Sequence, residues 1–163
     1  MVTTKYMNIE IKENKEFKLI ASLVEEVQNL HVNLFPNVYK PFEYKGIEAS
    51  MESMFSNENC KVFIAQLNNE TIGYMMLLIK EIPESAFHYS YKIIHLDQIS
   101  VSEKYQRNGV GEILMQKAET IAKELNIDRI ELDHLYDNAK AAKFFQHKGF
   151  IPYRSKLFKL LNQ

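Results

Sequence analysis

The chain has 163 residues, of which 46% are hydrophobic, so its length favours one domain and its composition can supply a real core. Its 20 basic and 21 acidic residues nearly balance, which removes the positive field that non-specific nucleic-acid binding depends on. Cys60 is the sole cysteine, so no intrachain disulfide can form and a reducing cytoplasm is the expected location.

The sequence shows no targeting or membrane-spanning pattern. Met1 to Glu10 lack the basic and then apolar order of a signal peptide. The longest apolar run, around Tyr74 to Ile79, is far too short to span a bilayer. We therefore expect a soluble single domain over residues 1–163, with neither nucleic acid nor a membrane as a partner.

The first third of the chain predicts one strand and two helices. A first strand is expected where three apolar residues alternate with polar ones, at Met7, Ile9 and Ile11. Apolar residues at helical spacing predict a first helix over about Glu16 to Asn33, which Pro36 stops. The same spacing returns from Ile47 to Phe55 and predicts a shorter second helix.

The rest of the chain predicts strands that alternate with helices. Lys61 to Leu67 and Thr71 to Ile79 flank a polar turn and predict a hairpin. A central buried strand is expected within Tyr89 to Val101, and an amphipathic helix from Val110 to Leu125. Three further predicted elements are a strand over Arg129 to Leu135, a helix over Asn138 to Lys148, and a terminal strand or hairpin over Phe150 to Leu160. This order indicates an α/β layer, with antiparallel strands first and a parallel crossover later.

The turn between the central strand and the amphipathic helix carries the clearest functional signal. It reads Tyr105-Gln106-Arg107-Asn108-Gly109-Val110-Gly111-Glu112. Free N–H groups and the helix dipole attract phosphate at such a helix start. Gly109 and Gly111 have no Cβ to keep an oxygen away, and Arg107 adds a positive charge. The simpler interpretation is that the two glycines only form a turn.

The turn does not match two well-known phosphate-binding loops. No Lys-Ser or Lys-Thr follows the glycines, as a P-loop requires, and the third glycine of the dinucleotide fingerprint is missing. The turn instead resembles the signature of the GNAT superfamily of N-acetyltransferases: Gln or Arg, two residues, Gly, one residue, then Gly or Ala. The matching residues are Gln106, Gly109 and Gly111. Two flanking segments are also similar, Gln98-Ile99-Ser100-Val101 to the acetyl-CoA strand and Asn138-x-x-Ala141-x-x-Phe144-Phe145-x-x-x-Gly149-Phe150 to the second signature.

The resemblance implies an α/β fold of the α+β type. Its core is a central mixed, mostly antiparallel sheet of six to seven strands, flanked by about four helices. The sheet is expected to splay in a V between the strand that ends at Val101 and the strand that ends at Leu135. The resemblance also implies acetyl-CoA as cosubstrate.

By the same resemblance, acetyl-CoA enters the V. Its pantetheine amides are expected to pair with the strand at Ile99, Ser100 and Val101. Asn138 is expected to hydrogen-bond the pantetheine arm, and Phe145 to pack against it. The pyrophosphate is expected on the turn, whose predicted contact residues are Gln106, Arg107, Asn108, Gly109, Val110, Gly111 and Glu112.

Acetyl transfer to an amine needs a base, because an alkylamine with a pKa near ~10.4 is almost wholly protonated at neutral pH. In the resembled family the carboxylate at the Asp97 position projects near the cleft, which makes Asp97 the first candidate, with Glu131 and Asp133 as alternatives. Asp97 has an equally simple structural role at a strand edge or paired with a lysine. The backbone N–H of Ile99 is the candidate that polarises the thioester oxygen, provided the strand splays there.

One position departs from the family pattern. The family often protonates the leaving thiolate with a tyrosine seven residues after the asparagine, and Phe145 stands there instead. The proton then comes from Tyr136, Tyr153, water or no group at all. We take Tyr136 as the first candidate for the acid.

These features predict an enzyme, an N-acetyltransferase that moves the acetyl group of acetyl-CoA to an amine by direct attack in a ternary complex. The acceptor is expected to be a small molecule of the polyamine, amino sugar or amino acid type. Three alternatives stay open: a non-catalytic acyl-CoA-sensing domain, an acetyltransferase for peptide or protein N-termini, and a related fold that binds another phosphorylated ligand.

Other polar and apolar clusters carry weaker signals. The five histidines show no metal-ligand spacing with one another or with Cys60, so no metal site is expected. His31 precedes a run of aromatic residues that can close the core or line an acceptor pocket: Phe35, Tyr39, Phe42 and Tyr44. An apolar C-terminal edge is a candidate for pairing with a second copy of the chain, at Leu157, Phe158, Leu160 and Leu161.

Overall fold

A computed structural model describes residues 8–161, so Met7 of the predicted first strand lies outside the described residues. The strands are β1 (Glu10–Glu13), β2 (Cys60–Leu67), β3 (Glu70–Ile82), β4 (Tyr91–Val101) and β5 (Ile130–Leu132). The helices are α1 (Phe17–Leu34), α2 (Tyr44–Phe55), α3 (Val110–Glu124) and α4 (Ala139–His147), with a short 3-10 turn at Glu103–Tyr105. No helix within the described range is long and apolar enough to cross a membrane.

The strands form one sheet in the order β1-β2-β3-β4-β5. The first four strands pair antiparallel, and β5 pairs with β4 in parallel. The predicted hairpin between β2 and β3 is confirmed, and Asn68 and Asn69 at its tip have φ values of 50° and 67°, as tight hairpin turns require. The mixed, mostly antiparallel α/β fold is therefore confirmed.

The sheet lies between helices. Val62, Ile64, Tyr74 and Met76 form a buried cluster with residues of α1 and α2. Strand residues between them face the other way, where Lys117 of α3 lies 5.3 Å from the centre of the Phe63 ring. Each large apolar side chain buried in these layers contributes about 1.5–3 kcal/mol to stability. We call the first side the α1/α2 face.

Strand β4 continues past the end of β5. Its last parallel pair is Leu96 with Leu132, so the segment Asp97–Val101 keeps only β3 as a neighbour. The ladder to β3 also shifts here, because Met76 pairs with Gln98 while the next residue of β3 pairs with Leu96. Asp97 is therefore the extra residue of a β-bulge. This parting of β4 and β5 is the predicted V opening, and β5 ends earlier than the predicted Leu135.

The predicted terminal strand or hairpin over Phe150 to Leu160 is wrong, because residues 150–160 have no regular secondary structure. Within the described residues the sheet therefore has five strands rather than six or seven. The segment fails as a strand for two reasons. Pro152 cannot donate to a ladder, and its apolar residues come as neighbours, Leu157-Phe158 and Leu160-Leu161, instead of alternating.

The chain divides into two compact units, one ending at Asp133 and one beginning at His134. The first unit holds the whole sheet with α1, α2 and α3, and the second holds α4 and the C-terminal segment. In the second unit Leu157 is 91% exposed and Leu161 is 84% exposed. Their pairing with a second copy of the chain stays a prediction, as does the single domain over residues 1–163.

We predict that Gly73→Ala destabilises the protein by about 1–3 kcal/mol, because an added group in a packed site forces the backbone to shift. A Cβ on Gly73 would lie 2.8 Å from the Ser100 carbonyl oxygen of the paired strand. Urea denaturation measures the change. Gly46→Ala is the matched control, because the nearest atom there is the side-chain carboxylate of Glu43 at 3.1 Å. Equal stability of the two variants would contradict the prediction.

Candidate active site

The turn between β4 and α3 is tied to the sheet and to α1 by side chains. Gln106 Nε2 donates a hydrogen bond of 3.0 Å to the Val101 carbonyl at the end of β4. The Tyr105 hydroxyl donates one of 2.6 Å to the Glu70 carboxylate at the start of β3. Glu26 of α1 accepts one of 3.3 Å from the first backbone N–H of the 3-10 turn. The turn is therefore held in place by contacts within the protein.

The N-terminus of α3 is suited to an anion. Gly109 precedes the helix with a φ of 81°, a left-handed conformation that glycine adopts without steric cost. Among residues 8–161 no side chain caps this helix. Because the first N–H groups of a helix have no partner inside it, those of Val110 and Gly111 can meet an approaching oxygen with the positive helix end behind them. Arg107 and Asn108 of the same turn are exposed.

At the end of β4, beyond the last residue paired with β5, some backbone N–H and C=O groups point to the side that β5 no longer covers. On the β3 side, the Ser102 N–H bonds the Ile72 carbonyl at 3.0 Å. Backbone groups alternate in direction along an antiparallel strand, so Ile99 and Val101 direct theirs to the opposite side. The Gln106 bond to the Val101 carbonyl lies on that side too. The Ile99 N–H is thus on the open edge, which the predicted oxyanion role requires.

Asp97 is exposed and its carboxylate reaches the α1/α2 face. Burial, and then the negative charge of Asp97, raise the pKa of the Tyr74 phenol. The same two causes raise the pKa of the Cys60 thiol. Both side chains belong to the packing on that face. Asp97 forms no ion pair within residues 8–161, so pairing with a lysine does not explain it.

The two alternative bases lie on or after β5. Glu131 pairs in register with His95, and its Oε1 forms an ion pair of 2.6 Å with Arg129 Nε. That partner holds the carboxylate in place. Asp133 follows the strand and is exposed. Asp97 is the candidate that lies on the open part of β4.

Asn138 and Phe145 belong to the second unit, which is described by itself. Asn138 Oδ1 accepts a hydrogen bond of 3.1 Å from the Ala141 N–H and so caps α4. This use leaves its Nδ2 group as the donor for a ligand. Phe145 is buried within a set of rings whose centroids lie 5.2 to 6.3 Å away, those of Phe144, Phe150 and His134.

Tyr136, the candidate acid, is 95% exposed. It lies in the segment between β5 and α4, two residues before Asn138. Its hydroxyl is therefore open to water. The other candidate, Tyr153, is 61% exposed in the C-terminal segment.

The sequence analysis missed an open cleft of about 180 Å³ between α1, β3 and the end of β4. Glu25 and Glu26 of α1 form part of one wall, and Gly73, Tyr74 and Ser100 form part of the opposite wall. The signals were present, because Gly73 interrupts an apolar strand and two adjacent acidic residues lie in the middle of α1. The sequence does not show that these segments meet.

Comparison with known proteins agrees with this geometry. The Acetyltransferase (GNAT) family matches residues 24–150. The chain belongs to the GNAT acetyltransferase family. An N-alpha-acetyltransferase of Sulfurisphaera tokodaii is 26% identical over 152 residues, which cover 86% of this chain and 84% of the relative.

Solved structures show the same GNAT fold. A Bacillus halodurans protein superposes with a TM-score of 0.87 at 19% identity, over 93% of this chain and 99% of that one. The aminoglycoside N-acetyltransferase AAC(6')-Iy, in complex with CoA, superposes with a TM-score of 0.67 at 18% identity, over 94% of each chain. The predicted resemblance to the GNAT superfamily is therefore confirmed.

His31, in the last turn of α1, packs against Tyr39 of the segment that follows the helix, with ring centroids 4.9 Å apart. Burial lowers the pKa of His31, because an apolar environment disfavours the charged imidazolium. His31 therefore meets a ligand as a neutral ring over a wider pH range than a free histidine does. Its contact with the predicted acceptor pocket stays a prediction.

We predict that His31 makes the folded state less stable in acid. Because the folded-state pKa lies below the unfolded value near ~6.5, the unfolded chain binds more protons in that window, and stability falls as the pH drops through it. His31→Gln should lose less stability between pH 7.5 and pH 5 than the wild type. Denaturation at both pH values measures this, with the exposed His88→Gln as control. The prediction would be contradicted if His31→Gln lost as much stability between pH 7.5 and pH 5 as the wild type does.

Proposed function

We propose that this GNAT chain is an acetyl-CoA-dependent N-acetyltransferase that passes the acetyl group directly to an amine in a ternary complex. The observation that carries the proposal is the open edge of β4 next to the uncapped N-terminus of α3. The edge suits the amide groups of a pantetheine arm, and the helix end suits a diphosphate. The CoA complex of the aminoglycoside acetyltransferase with this fold supports the same donor.

Several residues would hold the donor. Ile99, Ser100 and Val101 offer the β4 edge, and the backbone amides of residues 107–112 offer the anion site, since the Gln106 N–H already donates to the Glu103 carbonyl at 3.3 Å. The Gln106 side chain already bonds the Val101 carbonyl, so its proposed part is to hold the turn in place. Asn138 Nδ2 would donate to the arm, and Phe145 would supply an apolar surface.

The Ile99 N–H would polarise the thioester carbonyl. A backbone N–H on the open edge is fixed by its strand, so little reorganisation is needed when negative charge develops on the oxygen. Removal of one such donor typically lowers kcat by about 10²–10³-fold in other enzymes.

Asp97 would take the proton of the amine, directly or through one water. An alkylamine with a pKa near ~10.4 is roughly one part in a thousand free base at neutral pH, so the amine has to lose a proton for attack, and a carboxylate near the attack site can accept it. The amine nitrogen then forms the C–N bond as the C–S bond breaks. The leaving thiolate would receive its proton from Tyr136 or from water, since Phe145 has none to give.

We propose a small-molecule amine as the acceptor. A second candidate is the N-terminal amine of a peptide or protein. The similarity to the Sulfurisphaera tokodaii N-alpha-acetyltransferase, which spans most of both chains, favours this second acceptor. Both acceptors use the same attack, so the residue roles do not change.

An assay of thiol release from acetyl-CoA tests the proposal with polyamines, amino sugars, amino acid amides and short peptides. We expect amine-dependent thiol release with at least one acceptor, and a rise in melting temperature with acetyl-CoA alone. Asp97→Asn should lower kcat by about 10²–10⁴-fold and keep the rise in melting temperature. A rise without turnover would identify an acyl-CoA-sensing domain, and no rise at all would contradict acetyl-CoA binding.

We predict that Gly111→Val weakens acetyl-CoA binding by at least about tenfold without unfolding the protein. The new branched side chain would obstruct the diphosphate at the first turn of α3, while valine and glycine differ little in helix propensity. Isothermal titration with acetyl-CoA measures the change. Glu119→Val, on the exposed face of the same helix, is the control for a branched residue. Wild-type affinity in Gly111→Val would refute the proposed anion site.

A further inference from the structure

Tyr74 and Gln98 form a hydrogen bond across β3 and β4. Tyr74 is 1% exposed, and its hydroxyl donates to Gln98 Oε1 at 2.9 Å. The phenol stays protonated because burial and the nearby Asp97 charge raise its pKa. It is therefore a hydrogen-bond donor at working pH, and the Gln98 oxygen is the acceptor.

The orientation of the Gln98 amide follows from this bond. With Oε1 taken by Tyr74, the two hydrogens of Nε2 are directed away from that contact. Within residues 8–161 the Gln98 side chain forms no other hydrogen bond. Gln98 is half-buried, so its NH₂ group can reach a ligand. A donor pair held in one orientation has lost much of its freedom before a ligand binds.

Gln98 lies at the centre of the proposed reaction site. It follows the bulge residue Asp97 and precedes Ile99, on the part of β4 that β5 leaves open. Asp97 and Gln98 are neighbours in the chain, the Gln98 amide accepts the Tyr74 hydroxyl, and the Asp97 charge raises the pKa of the same hydroxyl. We therefore take both side chains to serve the same ligand on the α1/α2 face.

The chemistry of Nε2 selects among amines. An ammonium group has donors and no acceptor, so it gains nothing from an NH₂ group. A carbonyl or hydroxyl oxygen on the carbon next to the amine can accept from Nε2 while the nitrogen faces Asp97. A donor left without a partner costs free energy, so an acceptor that lacks the oxygen binds less well.

We propose that Gln98, held by Tyr74, donates a hydrogen bond to an oxygen of the acceptor and so selects amines with a carbonyl or hydroxyl group on the neighbouring carbon over plain alkylamines. This inference rests on the proposed N-acetyltransferase function. Gln98 is then a specificity-determining residue, and Tyr74 is a positioning residue that acts through it.

Matched acceptor pairs test the inference: alaninamide against isopropylamine, and ethanolamine against propylamine. The kcat/KM values are compared per free base, because the oxygen lowers the pKa of the amine. The wild type should prefer the oxygen-bearing member of a pair by about tenfold, the value of one hydrogen bond. Equal kcat/KM values, or a preference for the plain alkylamines, would overturn the inference in the unaltered protein.

Gln98→Glu is the sharpest variant, because it keeps an oxygen for the Tyr74 hydroxyl and replaces the NH₂ donor by an acceptor. In Gln98→Glu the preference for oxygen-bearing amines should disappear, because kcat/KM for these amines falls. The KM for acetyl-CoA should be unchanged. Gln116→Glu, on the exposed face of α3, is the control for the added charge. A preference retained in Gln98→Glu would overturn the inference.

Tyr74→Phe provides a second variant that leaves Gln98 intact. Loss of the hydroxyl frees the amide to rotate, so the ratio of the kcat/KM values within each acceptor pair should fall toward one. An equal loss with both members of each pair would indicate a structural role only and count against the inference. Failure of the proposed function is distinguishable, because then no amine releases thiol and acetyl-CoA does not change the melting temperature.

Discussion

The separation of β4 from β5 after Leu96 is the constraint on which the rest of the site depends. The backbone N–H and C=O groups of a strand inside a sheet form hydrogen bonds with two neighbouring strands. Strand β4 loses one of these neighbours where β5 ends. The bulge at Asp97 lies at this point. It reverses the direction in which the following residues turn their backbone groups. As a result the N–H of Ile99 points into the gap instead of toward β3.

The bulge also joins backbone geometry to side-chain chemistry. One extra residue in a strand changes the face on which a side chain emerges, and here it brings a carboxylate to the α1/α2 face. On that face the Tyr74 hydroxyl is already fixed by its bond to Gln98. A single irregularity of the ladder therefore supplies a candidate oxyanion donor, a candidate base and an oriented amide within a short stretch of chain.

The sequence predicted most elements because their patterns are local. The apolar stripe of α3 and the β-rich runs of β2 and β3 extend over enough residues to identify each element, and Gly109 permits the conformation of the turn. The bulge was not predictable, because it is defined by which β3 residue each β4 residue meets. The same reason hid the bond between Tyr74 and Gln98, which are far apart along the chain. The C-terminal segment was wrongly predicted as a strand or hairpin, because the prediction used its apolar content and did not weigh Pro152 or the pairing of its apolar residues as neighbours.

The side chain of Gln106 has a consequence for how far an extended ligand can follow β4. Its Nε2 already donates to the Val101 carbonyl, and a carbonyl oxygen has two lone pairs, so a strand-like ligand on the proposed β4 edge would share that oxygen with the protein. Such a ligand would meet the Ile99 backbone without this competition and the Val101 carbonyl with it. The glutamine thus weakens the last hydrogen bond that the edge can offer and favours a turn of the ligand toward the helix at that point.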